Sequence, residues 1–311
     1  MSQNRPTFRS GAARAAMLVV AVFLLSPMHA RGEAIELQAM SFNVRYSHGG
    51  LDEAATENNW TDVKYPRRGR TIRVIREYLP DVLGVQEARE LQIVDLREAL
   101  PEFEFYGVGR DDGKAGGEYA GIFYRKDRFT REDSGTFWLS ATPEKPGTSF
   151  YKVPNAVPRL ASWVRLHDKQ SGRDLLVLNT HWDHISASAR RKSAALIRER
   201  LSKLADRIPA IVMGDLNTPE DSAPLRELLG EVAAGRRLVD SYRALHRERT
   251  ADESTFNHWS GTTAGSRIDF ILHTEEFAPT AAAIVRTNYD GRWPSDHYPI
   301  TATLRLKAAG D

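Results

Sequence analysis

Carboxylates, carboxamides and imidazoles in this chain gather where predicted strands end. Asn43 lies in the first strand, Glu87 follows Leu83-Gly84-Val85-Gln86, and Asn179-Thr180-His181 closes the run Leu175 to Leu178. Gly214-Asp215-Leu216-Asn217 closes Ile211-Val212-Met213, and Ser295-Asp296-His297 immediately precedes the last strand. Strand ends are rigid and open, which is why α/β folds collect their sites there. A hard divalent cation takes one or two carboxylates with amide oxygens and water, so Glu87, Asn43 and Asp296 form a candidate cation site. Asp269 differs from the others, being an acid inside the apolar run Ile268-Asp269-Phe270-Ile271-Leu272. A buried carboxylate is costly without a cationic or hydrogen-bonding partner, and His297 is the candidate partner. Taken singly, each residue also has a plainer role: Asp215 or Asn217 as cap of a helix beginning near Ser222, Asn43 in a turn or bulge, Glu87 in a helix first turn, His181 and His184 on the surface.

The elements that must position these groups are legible from apolar patterning. Strands are predicted at Leu37 to Tyr46, Val82 to Gln86, Tyr119 to Tyr124, Leu160 to Leu166, Leu175 to Asn179, Ala210 to Met213, Ile268 to Leu272, Ala281 to Thr287 and Ile300 to Leu306. Helical spacing joins Ile72, Ile75, Tyr78 and Leu79 ahead of Pro80, and again Ala194, Ile197, Leu201 and Leu204. Helices recur between some strands, while Tyr119 to Tyr124, Phe137 and Leu160 follow one another without a helix, which favours antiparallel pairing there. A two-sheet α/β sandwich with helices outside satisfies both facts. The arginines Arg67, Arg68, Arg70, Arg73 and Arg76 are expected to form the solvated face of the first helix.

Composition removes several function classes. The 311 residues include no cysteine, which excludes a disulfide framework, a thiolate zinc site and a cysteine nucleophile. Residues 1–30 hold Arg5, Arg9 and Arg14 and no acid, followed by the apolar run Ala15 to Leu25 and Ser26-Pro27-Met28-His29-Ala30. This is the layout of a cleavable signal peptide, with processing expected after Ala30 or after Ala34 and a periplasmic or secreted destination. Eleven apolar residues are too few for the roughly 20 of a membrane-spanning helix, so no stable anchor is expected after processing. Without the leader 40 basic residues face 41 acidic ones, so the whole-chain charge of +2 is no argument for a nucleic-acid partner. No linker, charge block or internal repeat interrupts the rest, and one domain over residues 33–308, in a monomer, is the economical reading.

In sum the motifs resemble the endonuclease/exonuclease/phosphatase superfamily, which includes deoxyribonuclease I, apurinic endonucleases, deadenylases, sphingomyelinases and inositol polyphosphate phosphatases. The resemblance runs in order through Met40-Ser41-Phe42-Asn43, Gln86-Glu87, Tyr119-Ala120-Gly121-Ile122, Arg159, Asn179-Thr180-His181, Gly214-Asp215-Leu216-Asn217, Arg267-Ile268-Asp269-Phe270 and Ser295-Asp296-His297. Asn59-Trp60, Gly107-Val108-Gly109-Arg110-Asp111-Asp112-Gly113 and Gly135-Thr136-Phe137-Trp138-Leu139-Ser140 are similar to a mostly bacterial branch. The resemblance implies a four-layer α/β/β/α sandwich of two mixed sheets flanked by helices.

It also implies hydrolysis of a phosphoric ester, diester or monoester, by metal-assisted attack of water. Such chemistry asks for a hard cation, donors to the non-bridging oxygens and a group that holds or deprotonates water. By resemblance Asp215 orients or deprotonates the water and Asn217 positions water and phosphate. His297, oriented by Asp269, binds or protonates the phosphoryl group, and His181, Arg159 and Tyr119 contact phosphate. Mg²⁺ suits the ligands Glu87, Asn43 and Asp296, and Mn²⁺ fits the same set. Zinc at His181-Trp182-Asp183-His184 is disfavoured by the oxygen character of the other motifs. The substrate stays open between a small molecule, such as a sugar phosphate, and nucleic acid cut by a secreted nuclease. A non-catalytic phosphoester-binding module is the alternative of a different class.

Overall fold

The computed structural model describes residues 1–2, 36–47, 59–61, 66–233 and 236–307. Residues 3–30 of the expected signal segment and both expected domain limits, 33 and 308, lie outside those residues. Everything below belongs to the unit Ala34–Asp311.

Two mixed sheets face each other. The first contains β1 (Glu36–Asn43), β2 (Val82–Gln86), β3 (Phe103–Tyr106), β4 (Ala120–Arg125), β12 (Phe277–Ile284) and β13 (Ile300–Leu306), in the order β12-β13-β1-β2-β4-β3. The second contains β5 (Phe129–Trp138), β6 (Leu160–Asp168), β7 (Arg173–His181), β8 (Ala210–Asp215), β9 (Glu231–Ala233), β10 (Arg236–Asp240) and β11 (Asp269–Thr274), in the order β5-β6-β7-β8-β11-β10-β9. Among the described strands the parallel pairs are β1 with β2 and β7 with β8, each joined through a helix, α1 (Arg67–Tyr78) and α3 (Ala187–Leu204). Helix α2 (Glu90–Ala99) packs with α1 against the first sheet; α3 and α4 (Ala223–Leu228) pack against the second; α5 (Ser241–Leu245) follows β10. The four-layer sandwich expected from the sequence is the observed fold.

Strand alternation decides what enters the space between the sheets. Leu37 and Ala39 of β1 point inward with Val82 of β2, and meet Val177, Ile211, Met213 and Ile271 of the opposite sheet. The intervening residues Met40, Phe42, Leu83 and Val85 face α1 and α2, while Leu176, Leu178, Val212, Phe270 and Leu272 face α3 and α4. Counting on by two places Asn43, Asn179, His181, Asp215 and Asp269 on the inter-sheet side. The same parity that fills the core thus delivers polar groups to one end of the cleft.

Just below that end a polar clamp joins the sheets. The buried Asn179 of β7 donates to the carbonyls of Val85 (2.9 Å) and Gly121 (2.7 Å) and accepts from Gln86 Nε2 (2.7 Å), which also reaches Ser41 Oγ (3.1 Å). Gly84 leaves the room this requires, because a Cβ there would lie 2.6 Å from Met213 Sδ and 2.8 Å from Asn179 Cγ.

Some expectations need correction. The first helix buries Thr71, Val74 and Ile75 together with Arg67 and Arg70, while Tyr78 and Leu79 are exposed. The arginine run is therefore a solvated face only in part. Arg67 donates to the carbonyls of Val44 and Arg45, and Arg70 Nε and Thr71 Oγ1 donate to the carbonyls of Trp293 (3.1 Å) and Pro294 (3.0 Å). These side chains fix the segments that follow β1 and precede His297. Apolar patterning does not announce α2, β3, β9, β10 or α5; α2 buries only Gln92, Ile93 and Leu96, too narrow and too polar a stripe to stand out. Ser222, whose Oγ accepts from Leu225 N–H (3.2 Å), caps α4, so Asp215 and Asn217 are released from that role.

Asn179→Ala takes this donor from the buried Val85 and Gly121 carbonyls, while Gln86 Nε2 keeps Ser41 Oγ, so stability should fall by about 2–6 kcal/mol at 1–3 kcal/mol for each carbonyl that loses its donor. Chemical denaturation checks this; a loss below about 1 kcal/mol would show that the clamp does not hold the sheets together.

Candidate active site

Pairing registers bring the groups together. Asn43 lies beside Gln86, the residue before Glu87; His181 pairs with Asp215, and Asp215 with Asp269. Gly214 has φ 148°, and a Cβ there would meet the Thr180 carbonyl at 1.9 Å, so a glycine is required before Asp215. Arg45, Glu87 and Asn217 have φ of 53°, 63° and 47°, a left-handed backbone that asparagine tolerates and that costs arginine and glutamate about 1 kcal/mol or more. Each lies just past a strand, where the change of backbone turns the side chain into the cleft mouth.

The centre is a chain of contacts among buried groups. Asn43 Nδ2 donates to Glu87 Oε1 (2.9 Å) and Asp215 Oδ2 (3.0 Å). Asp215 Oδ1 accepts from Asn217 N–H (2.9 Å), and Asp215 Oδ2 lies 3.5 Å from His181 Nε2 and 3.8 Å from His297 Nε2. His297 Nδ1 meets Asp269 Oδ2 at 3.0 Å, with Phe256 against the ring at 4.8 Å between centroids. The buried Asp269 has therefore found the partner expected of it. Asn217 Nδ2 approaches His181 Nε2 (3.0 Å) and donates to the Trp182 carbonyl (3.1 Å). Thr255 Oγ1 accepts from Ile268 and Asp269 N–H (3.0 and 3.2 Å), and Phe256 pairs with His297, so one loop braces both members of the Asp–His pair.

A cavity of about 580 Å³ opens over this centre, lined by Glu87, His181, Asp215, Asn217 and His297 and by Arg45, Arg89, Arg110, Glu118, Arg159 and His184. Arg159 is buried; its Nη2 reaches His184 Nδ1 (3.0 Å), while Nε and Nη1 have no hydrogen-bond partner among the described residues. Two such donors beside a cavity are suited to an anion. Arg110 grips Glu118 through both guanidinium nitrogens, at 2.5 and 2.8 Å.

Of the expected site residues, Asp215, Asn217, His181, His297, Glu87 and Arg159 line the cavity, with Asn43 and Asp269 directly behind. Tyr119 is placed otherwise: it borders a small slot with Arg110, Glu118, Arg159 and His181, and its hydroxyl is engaged by Glu90 and the Lys114 carbonyl. Asp296 meets Glu87 only through Arg45, whose guanidinium lies 3.4 Å from Glu87 Oε2 and 3.7 Å from Asp296 Oδ2. Asn43 was expected to turn its oxygen to a cation, yet its nitrogen faces the carboxylates, the favoured end between two acceptors. Among the described residues the three-ligand groups are Glu87, His181 and Asp215, and Asp215, Asp269 and His297, with ligand atoms within 4.8 Å of one another. His184 belongs to neither group. Arg45, Arg110, Glu118 and Phe256 also line the cavity, and of these only Arg110 belongs to one of the sequence motifs, Gly107 to Gly113.

Burial and neighbouring charge set the protonation states. Burial, reinforced by Asp269, pushes the Asp215 carboxyl up to about 7. Burial pulls His297 down, but Asp269 and Asp215 overcome it and raise the imidazole to about 10. Burial and then Arg159 hold His181 well below its ordinary value, so it is neutral. Burial opposes ionisation of Glu87, but Arg45 and His297 prevail and lower it. In metal-free protein the His297 ring should stay doubly protonated through pH 8 in nitrogen NMR spectra and titrate near 10. Asp269→Asn should lower that midpoint; a wild-type midpoint near 6.5 would contradict the charged pair.

The profile of the Endonuclease/Exonuclease/phosphatase family matches residues 40–297. A crystal structure of an endonuclease/exonuclease/phosphatase from Bacteroides vulgatus is 32% identical, covers 88% of this chain and 100% of its own, and has a TM-score of 0.78. A mannosyl-6-phosphatase from Bacteroides thetaiotaomicron is also 32% identical, covering 87% and 100%, with a TM-score of 0.78. TDP2 from D. rerio, complexed with a single-strand DNA product, shares the fold at 20% identity and TM-score 0.65, over 87% and 99%. An uncharacterised protein of Acanthamoeba polyphaga mimivirus is 26% identical over 160 residues, and the match spans 50% of this chain and 59% of that relative. With its fold, its ordered motifs and their convergence on one cleft, the chain belongs to the endonuclease/exonuclease/phosphatase family, a family of phosphoester hydrolases.

Proposed function

We propose that the protein is a divalent-metal-dependent phosphomonoesterase acting on a small phosphate ester. The observation that carries this reading is the pairing of the unpartnered Arg159 donors with the Asp215–His297 centre across one cavity. A cavity of about 580 Å³ falls in the range of small-molecule sites, roughly 300–1,000 Å³. The mannosyl-6-phosphatase relative supports a monoester.

The donor set fits a hard cation: Glu87 supplies a carboxylate kept ionised, with Asp215 and His181 beside it and Asn43 and Asp296 close behind. When bound, such a cation supplies positive charge to the phosphoryl oxygens and leaving group. Arg159 binds and orients the phosphate through its free N–H groups. Asn217, fixed by Trp182 and His181, positions the attacking water, and Asp215 in its ionised form, which a cation at Glu87 would favour, takes its proton. His297, held charged by Asp269 and Asp215, stabilises the phosphoryl group. The leader's layout supports action outside the cytoplasm; among the described residues no helix is long and apolar enough to cross a membrane.

Purified protein with Mg²⁺ or Mn²⁺ should release phosphate at pH 8 from sugar phosphates faster than it cuts bis(p-nitrophenyl) phosphate or single-stranded RNA or DNA. Chelation should abolish turnover, and Glu87→Gln should lower kcat/KM by roughly 10²-fold or more while leaving the fold intact. Faster cleavage of oligonucleotides would establish a nuclease instead. Binding of phosphate esters without turnover under any metal would establish the binding module.

A further inference from the structure

Arg159 is a buried cation whose hydrogen-bond partner is an imidazole, His184. The bond runs from Arg159 Nη2 to His184 Nδ1 at 3.0 Å. Nε carries one N–H and Nη1 two, so three of the five guanidinium donors have no partner among the described residues. Burial, and then Arg110, work against the charge and lower the guanidinium below its ordinary value. A cation so placed needs something to hold it in one orientation, and His184 is what touches it.

A guanidinium has donors only, so His184 Nδ1 accepts, the ring proton lies on Nε2, and the imidazole is neutral. Burial, and then Arg159, lower the ring below its ordinary value, which favours the same state. The loop that presents His184 is fixed on both sides. Before it, Trp182 N–H donates to the Asp215 carbonyl (2.9 Å), and the Trp182 carbonyl accepts from Asn217 Nδ2 (3.1 Å). The buried Asp183 accepts Ile185 and Ser186 N–H on Oδ1 (2.9 and 2.5 Å), and its carbonyl accepts from Arg190 Nη1 (2.8 Å). Ser186 then caps α3 by accepting from Ala189 N–H (3.1 Å). The acceptor that meets Arg159 is thereby tied to the Asp215 backbone and the Asn217 side chain.

The kind of acceptor decides what Arg159 can still do. A carboxylate in this place would grip the guanidinium and cancel its charge, leaving little for an anionic ligand. A doubly protonated imidazole would have no lone pair to offer. A neutral imidazole takes one donor and leaves the positive charge whole. We propose that His184 is a positioning residue, a single uncharged acceptor that holds the Arg159 guanidinium in one orientation and leaves its charge and remaining donors to the phosphate of the substrate. The assignment rests on Arg159 being the phosphate anchor of a phosphomonoesterase.

The test titrates inorganic phosphate calorimetrically into wild type and His184 variants with Mg²⁺ at pH 8, where phosphate is mostly the dianion. His184→Ala should weaken binding about ten-fold, the scale of one lost orienting hydrogen bond. His184→Leu, also without an acceptor but closer in size to the ring, should do the same and guards against collapse of the loop in His184→Ala. His184→Gln keeps a neutral acceptor in its amide oxygen and should bind within about three-fold of wild type. His184→Glu has nearly the shape of His184→Gln but competes for the guanidinium, and should weaken binding about 10²-fold. Binding by His184→Leu or His184→Ala as tight as by His184→Gln, or equal binding by His184→Gln and His184→Glu, would overturn the role of His184 alone. Wild type with no affinity for phosphate would overturn Arg159 as the anchor, and this assignment with it.

Discussion

One charged imidazole between two buried carboxylates sets the terms for the rest of the site. His297 meets Asp269 at 3.0 Å and Asp215 at 3.8 Å, all three nearly sealed from solvent. Burying an ion costs several kcal/mol, and two unit charges 4 Å apart recover about 4 kcal/mol at an effective dielectric constant near 20. Two carboxylates without the imidazolium would repel each other, and the ring without them would lose its proton at neutral pH. The three groups therefore have to be buried together or not at all. Their registers ensure this, because Asp215 and Asp269 are directly paired on β8 and β11, and Thr255 and Phe256 fix the other side.

A second balance holds at the opposite wall. Glu87 and Asp296 share the Arg45 guanidinium, while Asn43 connects Glu87 to Asp215 through one amide. Negative charge thus exceeds what Arg45 and His297 neutralise, which is the electrostatic condition for drawing a divalent cation toward Glu87. Arg159 extends the alternation outward, with Arg110 paired to Glu118 beyond it. The unpartnered Arg159 donors beside this centre are suited to an anion.

Much of this was legible because period-2 patterning carries both core and site. Apolar runs located β2 and β13 to the residue, and the parity of those runs put Asn43, Asp215 and Asp269 at the cleft. Asp269 was the clearest sign, since an acid in an apolar run has to be paired. Other features leave no trace in a single sequence. The left-handed backbone at Arg45 and Glu87 belongs to residue types that seldom adopt it, so nothing local announces the turn into the cleft. Arg67 and Arg70 read as a solvated face because helical periodicity cannot foresee carbonyls brought from residues 44–45 and 293. Tyr119 shows the converse limit: its motif is present, yet Glu90 from the missed helix α2 takes its hydroxyl.

The account stands on Asp269 and His297 acting as one unit, and a double-mutant cycle on phosphate-ester hydrolysis measures that most directly. Asp269→Asn and His297→Ala should each reduce kcat/KM by roughly 10²–10⁴, the scale of a positioned acid–base or electrostatic group. Because removal of the ring also removes what the carboxylate supports, the double variant should be little worse than His297→Ala alone. Folded single variants whose losses in activation free energy simply add in the double would show two independent functions, and the unit on which this site is built would not exist.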